Sequence, residues 1–516
     1  MSTRVSRRAF ALTGAAAGFH ALTSRKAFAL PSEERRIAVH AAVEIGTVRP
    51  ELHGHFAEHL GTCTYGGMWV GPNSPIPNIE GYRKQTVEYL RQLGVSVLRW
   101  PGGCYADDYH WREGIGPAAR RPKRVNLWWG NTVEDNGFGT HEFIGFCRLI
   151  GAQPYFAGNL GSGTPQEMRD WVEYCNQPSG SALAQERAAN GSPAPFGVRY
   201  WGVGNENWGC GGNMTPEEYC AGYRRFATFL RKFGDTAPYL IACGPSSNDV
   251  NWTRRFFDVL GTRIAPQGFA MHFYSGGKDT PTKFTVENMR LQLSSFARFE
   301  QAVIQQRAIL DGYDPQRKIG LLVDEWGVWD RSDPEVFARY GLHWQQNTIR
   351  SAVAAALGLN LFHRQADKLV MCNIAQIVNV LHSVLLTGDD KCFRTPTYHA
   401  FDLLKPHRGK VAVRVENADT DPLGLSVSCS RQAGELVLSC VNPRHDTALN
   451  VLADLASVHP ASATARILQS DDYNAPNTFE APDRIVPVDH PVSIEGAKLK
   501  FALPPLSVAT VMVRLA

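Results

Sequence analysis

Between residues 51 and 373, apolar runs of strand length alternate with longer segments of helical period, and this alternation constrains the fold more than any other feature of the chain. The strand-like runs fall at 51–61, 96–100, 153–158, 198–205, 239–243, 267–273, 318–325 and 368–373. Helical patterns separate them at about 81–93, 140–150, 165–176, 215–233, 249–260, 290–312 and 340–357. Strands that are apolar throughout, rather than on alternate residues, belong to parallel sheets covered on both faces. Eight strand candidates separated by helices favour a closed parallel barrel over an open sheet. The predicted fold class is therefore α/β: a (β/α)8 TIM barrel over residues 51–394.

The pattern changes near residue 395. Segments such as 410–415, 434–441, 499–503 and 507–515 alternate with period two and are separated by Pro, Asn, Asp and Gly. They predict a C-terminal antiparallel β-sandwich over 395–516. A strand-like segment within 30–50 precedes the barrel and is expected to join that sandwich. Residues 1–29 resemble a twin-arginine export signal, with Arg7-Arg8 ahead of an Ala/Gly-rich run and Ala27-Phe28-Ala29 as a small-x-small cleavage site. The expected location is accordingly periplasmic or secreted.

A net charge of +4 over 516 residues, without a long basic run, points away from nucleic acid. No apolar run approaches the roughly 20 residues that cross a bilayer, so no membrane association is expected. The 11 cysteines are scattered without a CxxC pair, which argues against a zinc site or a dense disulfide framework. Most read as small buried hydrophobes, and Cys429 with Cys440 is one possible pair on neighbouring strands. His53 and His55 would share one face of a strand, but no familiar ligand spacing accompanies them, and neither metal nor cofactor is expected.

Two stretches carry the chemistry. Tyr200-Trp201-Gly202-Val203-Gly204-Asn205-Glu206 and Ile319-Gly320-Leu321-Leu322-Val323-Asp324-Glu325 each run from an apolar strand into a carboxylate at its tip. They end the fourth and seventh strand candidates, which brings both carboxylates to the C-terminal face of a barrel, where active sites of this fold lie. A carboxylic acid and a carboxylate on one rigid face, ringed by Trp and Tyr, suit glycosidic bond cleavage. One protonates the leaving oxygen and the other attacks the anomeric carbon.

Gly204-Asn205-Glu206 together with Asp324-Glu325-Trp326 resembles the clan of retaining glycosidases whose acid/base and nucleophile end barrel strands four and seven. More narrowly, Phe56-Ala57-Glu58-His59-Leu60-Gly61, Leu98-Arg99-Trp100-Pro101-Gly102-Gly103, Trp201 to Glu206, Asn373 to Val380 and Leu503-Pro504-Pro505-Leu506-Ser507 are similar to segments of the α-L-arabinofuranosidases of glycoside hydrolase family 51. The resemblance implies Glu206 as acid/base and Glu325 as nucleophile. It further implies Asn205 on the sugar 2-hydroxyl, Glu58 and Gln376 on other hydroxyls, Arg99 orienting Glu325, His272 and Tyr274 supporting the two glutamates, and Trp326 and Trp329 as apolar walls. The family commonly has Asn after Pro-Gly-Gly, where this chain has Cys104, so one sugar contact must differ. The implied substrate is an arabinose-containing oligo- or polysaccharide, and the implied assembly is a homo-oligomer, a hexamer. The same machinery acting on another sugar (a galactofuranosidase, xylosidase or endoglucanase) and a non-catalytic carbohydrate-binding protein are the alternatives.

Overall fold

The computed structural model describes residues 31–516 apart from Ser457. Eight parallel strands close into a barrel: Gly54–Phe56, Val97–Trp100, Gln153–Gly158, Tyr200–Val203, Tyr239–Ser246, Gly268–Gly276, Gly320–Trp329 and Leu369–Ala375. Closure is made where the eighth strand pairs with the first, Asn373 opposite Gly54 and Ala375 opposite Phe56. The first strand is only three residues long. The 51–61 run read as one strand divides into a 3-10 turn at Pro50–His53, the strand, and a loop carrying Glu58.

Local chemistry explains where the helices begin. Three start on Thr-Pro: Pro165–Asn176, Pro216–Phe229 and Pro396–Leu404. In each, the Thr hydroxyl accepts a free N–H of the first turn, while Pro at the first position has no N–H to leave unpaired. Glu218 returns a bond to the backbone N–H of Thr215, completing a capping box. The helices Lys84–Leu93 and Thr140–Ile150 end on Gly94 and Gly151 in the left-handed region, φ 71° and 78°, which turns the chain promptly into the next barrel strand.

Inward-facing Val97, Tyr155, Tyr200, Ile241, Ala270, Leu322 and Met371 fill the barrel interior, so the barrel is a packed core whose chemistry is confined to its rim. A larger apolar layer lies between strands and helices. Helix Ile349–Arg364 is buried along nearly its whole length, because the second domain packs on the face that would otherwise be open. Helix Pro396–Leu404 lies where only short strands were expected; its apolar residues continue the barrel's outer layer and pack under the sheet.

The second domain is a ten-stranded, largely antiparallel sheet wrapped around its own core of residues such as Ile37, Val39, Leu438, Val451 and Val511. The long strand Ser32–Thr47 lies inside this sheet, antiparallel to Val411–Asn417 and parallel to Ala448–Asp454. Polar groups stitch the two domains together: His363 Nδ1 meets Ser428 Oγ at 3.0 Å, His407 Nδ1 meets Ser430 Oγ at 2.8 Å, and Asn360 Oδ1 accepts from Ser428 and Ser439. Among the described residues no helix is long and apolar enough to cross a membrane. The export segment expected over 1–29 lies outside the described residues.

Candidate active site

At the C-terminal rim, Arg99, His272, Tyr274 and Glu325 come from barrel strands, and Glu58, Trp129, Asn205, Glu206 and Gln376 from the loops that follow strands. Glu325 is 5% exposed on the seventh strand. Its Oε1 accepts from Arg99 Nη1 at 2.8 Å and its Oε2 from the Tyr274 hydroxyl at 2.7 Å. His272 Nδ1 lies 2.8 Å from Glu206 Oε1 and 3.7 Å from Glu325 Oε2. One oxygen of Glu206, His272 Nδ1 and one oxygen of Glu325 therefore fall within 4.8 Å of one another.

The surroundings of Glu325 set its charge. Burial pushes its carboxyl upward, but the charges of His272 and Arg99 and the Tyr274 hydroxyl together outweigh it and hold it below the ordinary glutamate value. Arg99 is fully buried, stacks over the Phe56 ring at 4.7 Å, donates to Asn205 Oδ1, and stands 3.7 Å from Asp324. It is thus held by a carboxylate pair and held up as a cation against its own desolvation. Burial pulls the His272 imidazole down, yet Glu325 and Glu206 raise it above the usual histidine range. The result is an anion fixed by two donors beside a carboxyl that shares an imidazole.

Glu58 completes the floor. Its Oε1 accepts from Trp129 Nε1 at 2.8 Å and from the Tyr105 backbone at 3.1 Å, and its Oε2 accepts from Gln376 Nε2 at 3.1 Å. Burial, and next the nearby Glu325 charge, push its carboxyl up to about 7 against those donors. The Pro101-Gly102-Gly103 turn lets the backbone approach this closely: a Cβ on Gly103 would stand 2.9 Å from Glu325 Oε1, and one on Gly102 would stand 2.8 Å from Glu58 Cγ. Among the site's buried polar atoms without a hydrogen-bond partner are Asn205 Nδ2 and Gln376 Oε1, together with Arg99 Nε and Asn207 Oδ1.

Two of the expected contacts differ. Trp326 is fully buried and packs outward, edge-on to Phe362 and stacked near Phe401. It does not line the pocket, because a register shift after Val323 lets Asp324 and Glu325 both face inward and turns Trp326, beyond it, to the helices. Trp329, three residues further, stands edge-on to Tyr274 and His343 at the rim. Cys104 is not a free thiol: it forms a disulfide with Cys210, with Cα atoms 5.4 Å apart. The other nine cysteines are free and buried, Cys429 and Cys440 among them; in the sheet register Cys429 faces Leu438 and Cys440 faces Val427.

The 104–139 loop supplies residues that the sequence reading passed over. It is built of 3-10 turns and a small hairpin, Arg124–Asn126 with Thr132–Glu134, anchored by His59 Nδ1 to Glu134 at 2.8 Å and by Asn126 Nδ2 to the His59 carbonyl at 2.7 Å. From it come Trp129 and Asp107. Asp107 Oδ1 accepts from Leu160 N at 2.7 Å and Gly161 N at 2.6 Å, and Oδ2 accepts from Asn205 N at 2.7 Å. Asn207 Nδ2 approaches Oδ2 at 3.4 Å. One carboxylate thus fixes the sharp turn at the fourth strand tip, where Glu206 sits at φ 43° in the left-handed region. Burial pushes this carboxyl up to about 7 against the opposing pull of its donors.

Comparison with known proteins then decides the family. Residues 89–290 match the model "Alpha-L-arabinofuranosidase 1 domain" and residues 324–507 the model "Alpha-L-arabinofuranosidase C-terminal domain". An intracellular exo-alpha-L-arabinofuranosidase of Bacteroides ovatus is 40% identical over 92% of this chain and 94% of its own length. The chain belongs to the α-L-arabinofuranosidases of glycoside hydrolase family 51. The crystal structure of the family 51 arabinofuranosidase from Xanthomonas axonopodis pv. citri superposes with a TM-score of 0.90 at 37% identity, covering 93% of this chain and all of the other. The arabinose complex of the Thermotoga maritima α-L-arabinofuranosidase gives 0.84 at 30% identity, again over 93% and 100%.

The same comparison corrects one expectation of this family 51 chain. A periplasmic or secreted location does not stand, since the Bacteroides ovatus relative is named intracellular. The paired arginines on which that expectation rested are a short pattern of common residues, and such patterns recur by chance.

Proposed function

We propose that the chain is a retaining, exo-acting α-L-arabinofuranosidase that releases terminal α-L-arabinofuranosyl residues from arabinoxylan, arabinan or arabino-oligosaccharides, with Glu206 as general acid/base and Glu325 as nucleophile. The observation that carries this reading is the closeness of the two carboxylates: an oxygen of Glu206 and an oxygen of Glu325 lie within 4.8 Å of each other, which supports the ~5 Å arrangement of double displacement over the ~6.5–9.5 Å of inverting enzymes.

In the first half, Glu325 attacks the anomeric carbon while Glu206 gives its proton to the departing oxygen. In the second, Glu206 takes a proton from water as the glycosyl–Glu325 ester is cleaved. Arg99 and Tyr274 keep Glu325 anionic and aimed. Asn205 Nδ2 and Gln376 Oε1, buried without protein partners, are available to sugar hydroxyls; Asn205 is assigned the 2-hydroxyl and Gln376 and Glu58 the others. Cys104 contributes disulfide surface where an amide would have hydrogen-bonded. Assembly into a homo-oligomer, a hexamer, belongs to the same reading and is measured by light scattering.

The test is a panel of aryl furanosides and pyranosides with the anomeric configuration of the first-formed sugar followed by NMR. Turnover of the α-L-arabinofuranoside with retention is expected. Turnover confined to another sugar would refute the substrate, inversion would refute the mechanism, and no turnover on any would refute the enzyme.

A further inference from the structure

The disulfide beside Glu206 is placed to do more than brace a loop. Cys104 opens the 3-10 turn Cys104–Asp108 after the second strand, and Cys210 lies four residues beyond Glu206 after the fourth. Cys210 Sγ is 3.7 Å from Glu206 Oε2, and the two sulfurs and a Glu206 oxygen all lie within 4.8 Å of one another. All three residues are half-buried, within reach of small solutes, whereas the other nine cysteines are buried.

We propose that reduction of the Cys104–Cys210 disulfide creates a binding site for a soft divalent cation such as Cd2+ or Zn2+, formed by the two thiolates and the Glu206 carboxylate, and that occupancy of this site stops catalysis. The chemistry has two balanced steps. A dithiol reductant transfers two electrons and two protons to the disulfide, leaving two thiols and an oxidised dithiol. The cation then binds both sulfurs and the Glu206 carboxylate, displacing one proton from each thiol and, from the acid form of Glu206, a third.

The geometry suits tetrahedral coordination. An ion ~2.3 Å from sulfur and ~2.0–2.2 Å from oxygen holds those two atoms roughly 3.5 Å apart, close to the 3.7 Å between Cys210 Sγ and Glu206 Oε2. Two sulfurs on the same ion stand ~3.8 Å apart, within reach of rotations about the Cα–Cβ bonds of residues whose Cα atoms are 5.4 Å apart. Thiolate donors select soft or borderline ions over Mg2+ and Ca2+. The second donor set, Glu206, His272 and Glu325, carries no sulfur and exists in both redox states. The oxidised disulfide has no thiolate to offer. The inhibitory half of the proposal rests on Glu206 being the acid/base, since a coordinated carboxylate cannot deliver a proton; the binding half rests on geometry alone.

The experiment uses the full chain, oxidised or reduced with a dithiol and desalted, titrated with Cd2+ while the ultraviolet thiolate-to-cadmium band and arabinofuranosidase activity are recorded on the same samples. The reduced protein is expected to take up one Cd2+ per chain with the thiolate band, to lose activity in step, and to regain it on adding a chelator; the oxidised protein shows no band. Cys210→Ser abolishes the band, and Glu206→Gln weakens uptake at least ~10-fold, the usual cost of disturbing a metal site. An equal band in oxidised and reduced protein, or a band retained by Cys210→Ser, would overturn the site. Stoichiometric uptake without loss of activity would overturn the inhibition and count against Glu206 as acid/base, leaving the binding site standing.

Discussion

Asp107 touches no substrate in the proposed mechanism, yet it determines where Glu206 stands. In Asp107→Asn one carboxylate oxygen becomes an NH2 group. If the remaining oxygen keeps the Leu160 and Gly161 N–H groups, the new donor faces the Asn205 N–H, which now has no acceptor, and crowds the Asn207 amide, which keeps only the Gly211 carbonyl. Each buried donor left unpaired costs about 1–3 kcal/mol, enough to release a turn already held in the left-handed region at Glu206. A shift of ~1 Å in a catalytic group costs on the order of 100-fold. The loss should depend on how much the leaving group needs its proton. Measured as kcat/KM, which reports the bond-breaking half, the variant should fall ~10- to 100-fold on arabino-oligosaccharides and much less on aryl arabinofuranosides with strongly activated leaving groups. An equal loss on both substrate classes would refute positioning of the acid.

Two other outcomes follow from the charges. Tyr274→Phe removes a donor that helps hold Glu325 below the ordinary glutamate value, so the acid limb of the kcat/KM–pH profile should move to higher pH, with a ~10- to 100-fold loss at the optimum for one hydrogen bond to a charged group; an unmoved acid limb would contradict it. His55 is fully buried, neither of its ring nitrogens has a partner, and burial, with Arg408 adding to it, pulls the imidazole down to about 3. Its folded value is depressed, so the stability it lends is complete above the unfolded value near 6.5 and is lost as pH falls toward 3. His55→Leu should therefore gain stability over the parent by about 1.4 kcal/mol per pH unit below 6.5, read from urea midpoints at pH 7 and 5; a pH-independent difference would contradict it.

Much of this molecule is legible in one dimension. Apolar runs bounded by Gly and Pro mark the barrel strands because parallel strands are covered on both faces, and the tips at Glu206 and Glu325 follow from counting them. Trp326 was not legible: Leu322 faces the barrel interior, so period two alone would aim Asp324 and Trp326 inward, and the register shift at Asp324–Glu325 that turns Trp326 outward leaves no local mark in the sequence. Asp107 and Trp129 were not legible. They sit in a segment with no core period, and their roles depend on hydrogen bonds to residues that folding alone brings near. The Cys104–Cys210 pair spans 106 residues, and among 11 cysteines nothing local selects it. Helix Pro396–Leu404 announces itself by Thr395-Pro396, a start signal hidden by the period-two strands that follow.

The central claim is that Glu325 carries the sugar between the two halves of the reaction. Glu206→Ala, incubated with an aryl α-L-arabinofuranoside of good leaving ability, should accumulate a glycosyl-enzyme because its hydrolysis has lost its base, and peptide mapping by mass spectrometry should find one pentosyl unit esterified to Glu325 within Gly320–Trp329. Added azide should discharge it as the arabinosyl azide of retained configuration. A pentosyl unit on any other residue, or an azide product of inverted configuration, would contradict the account.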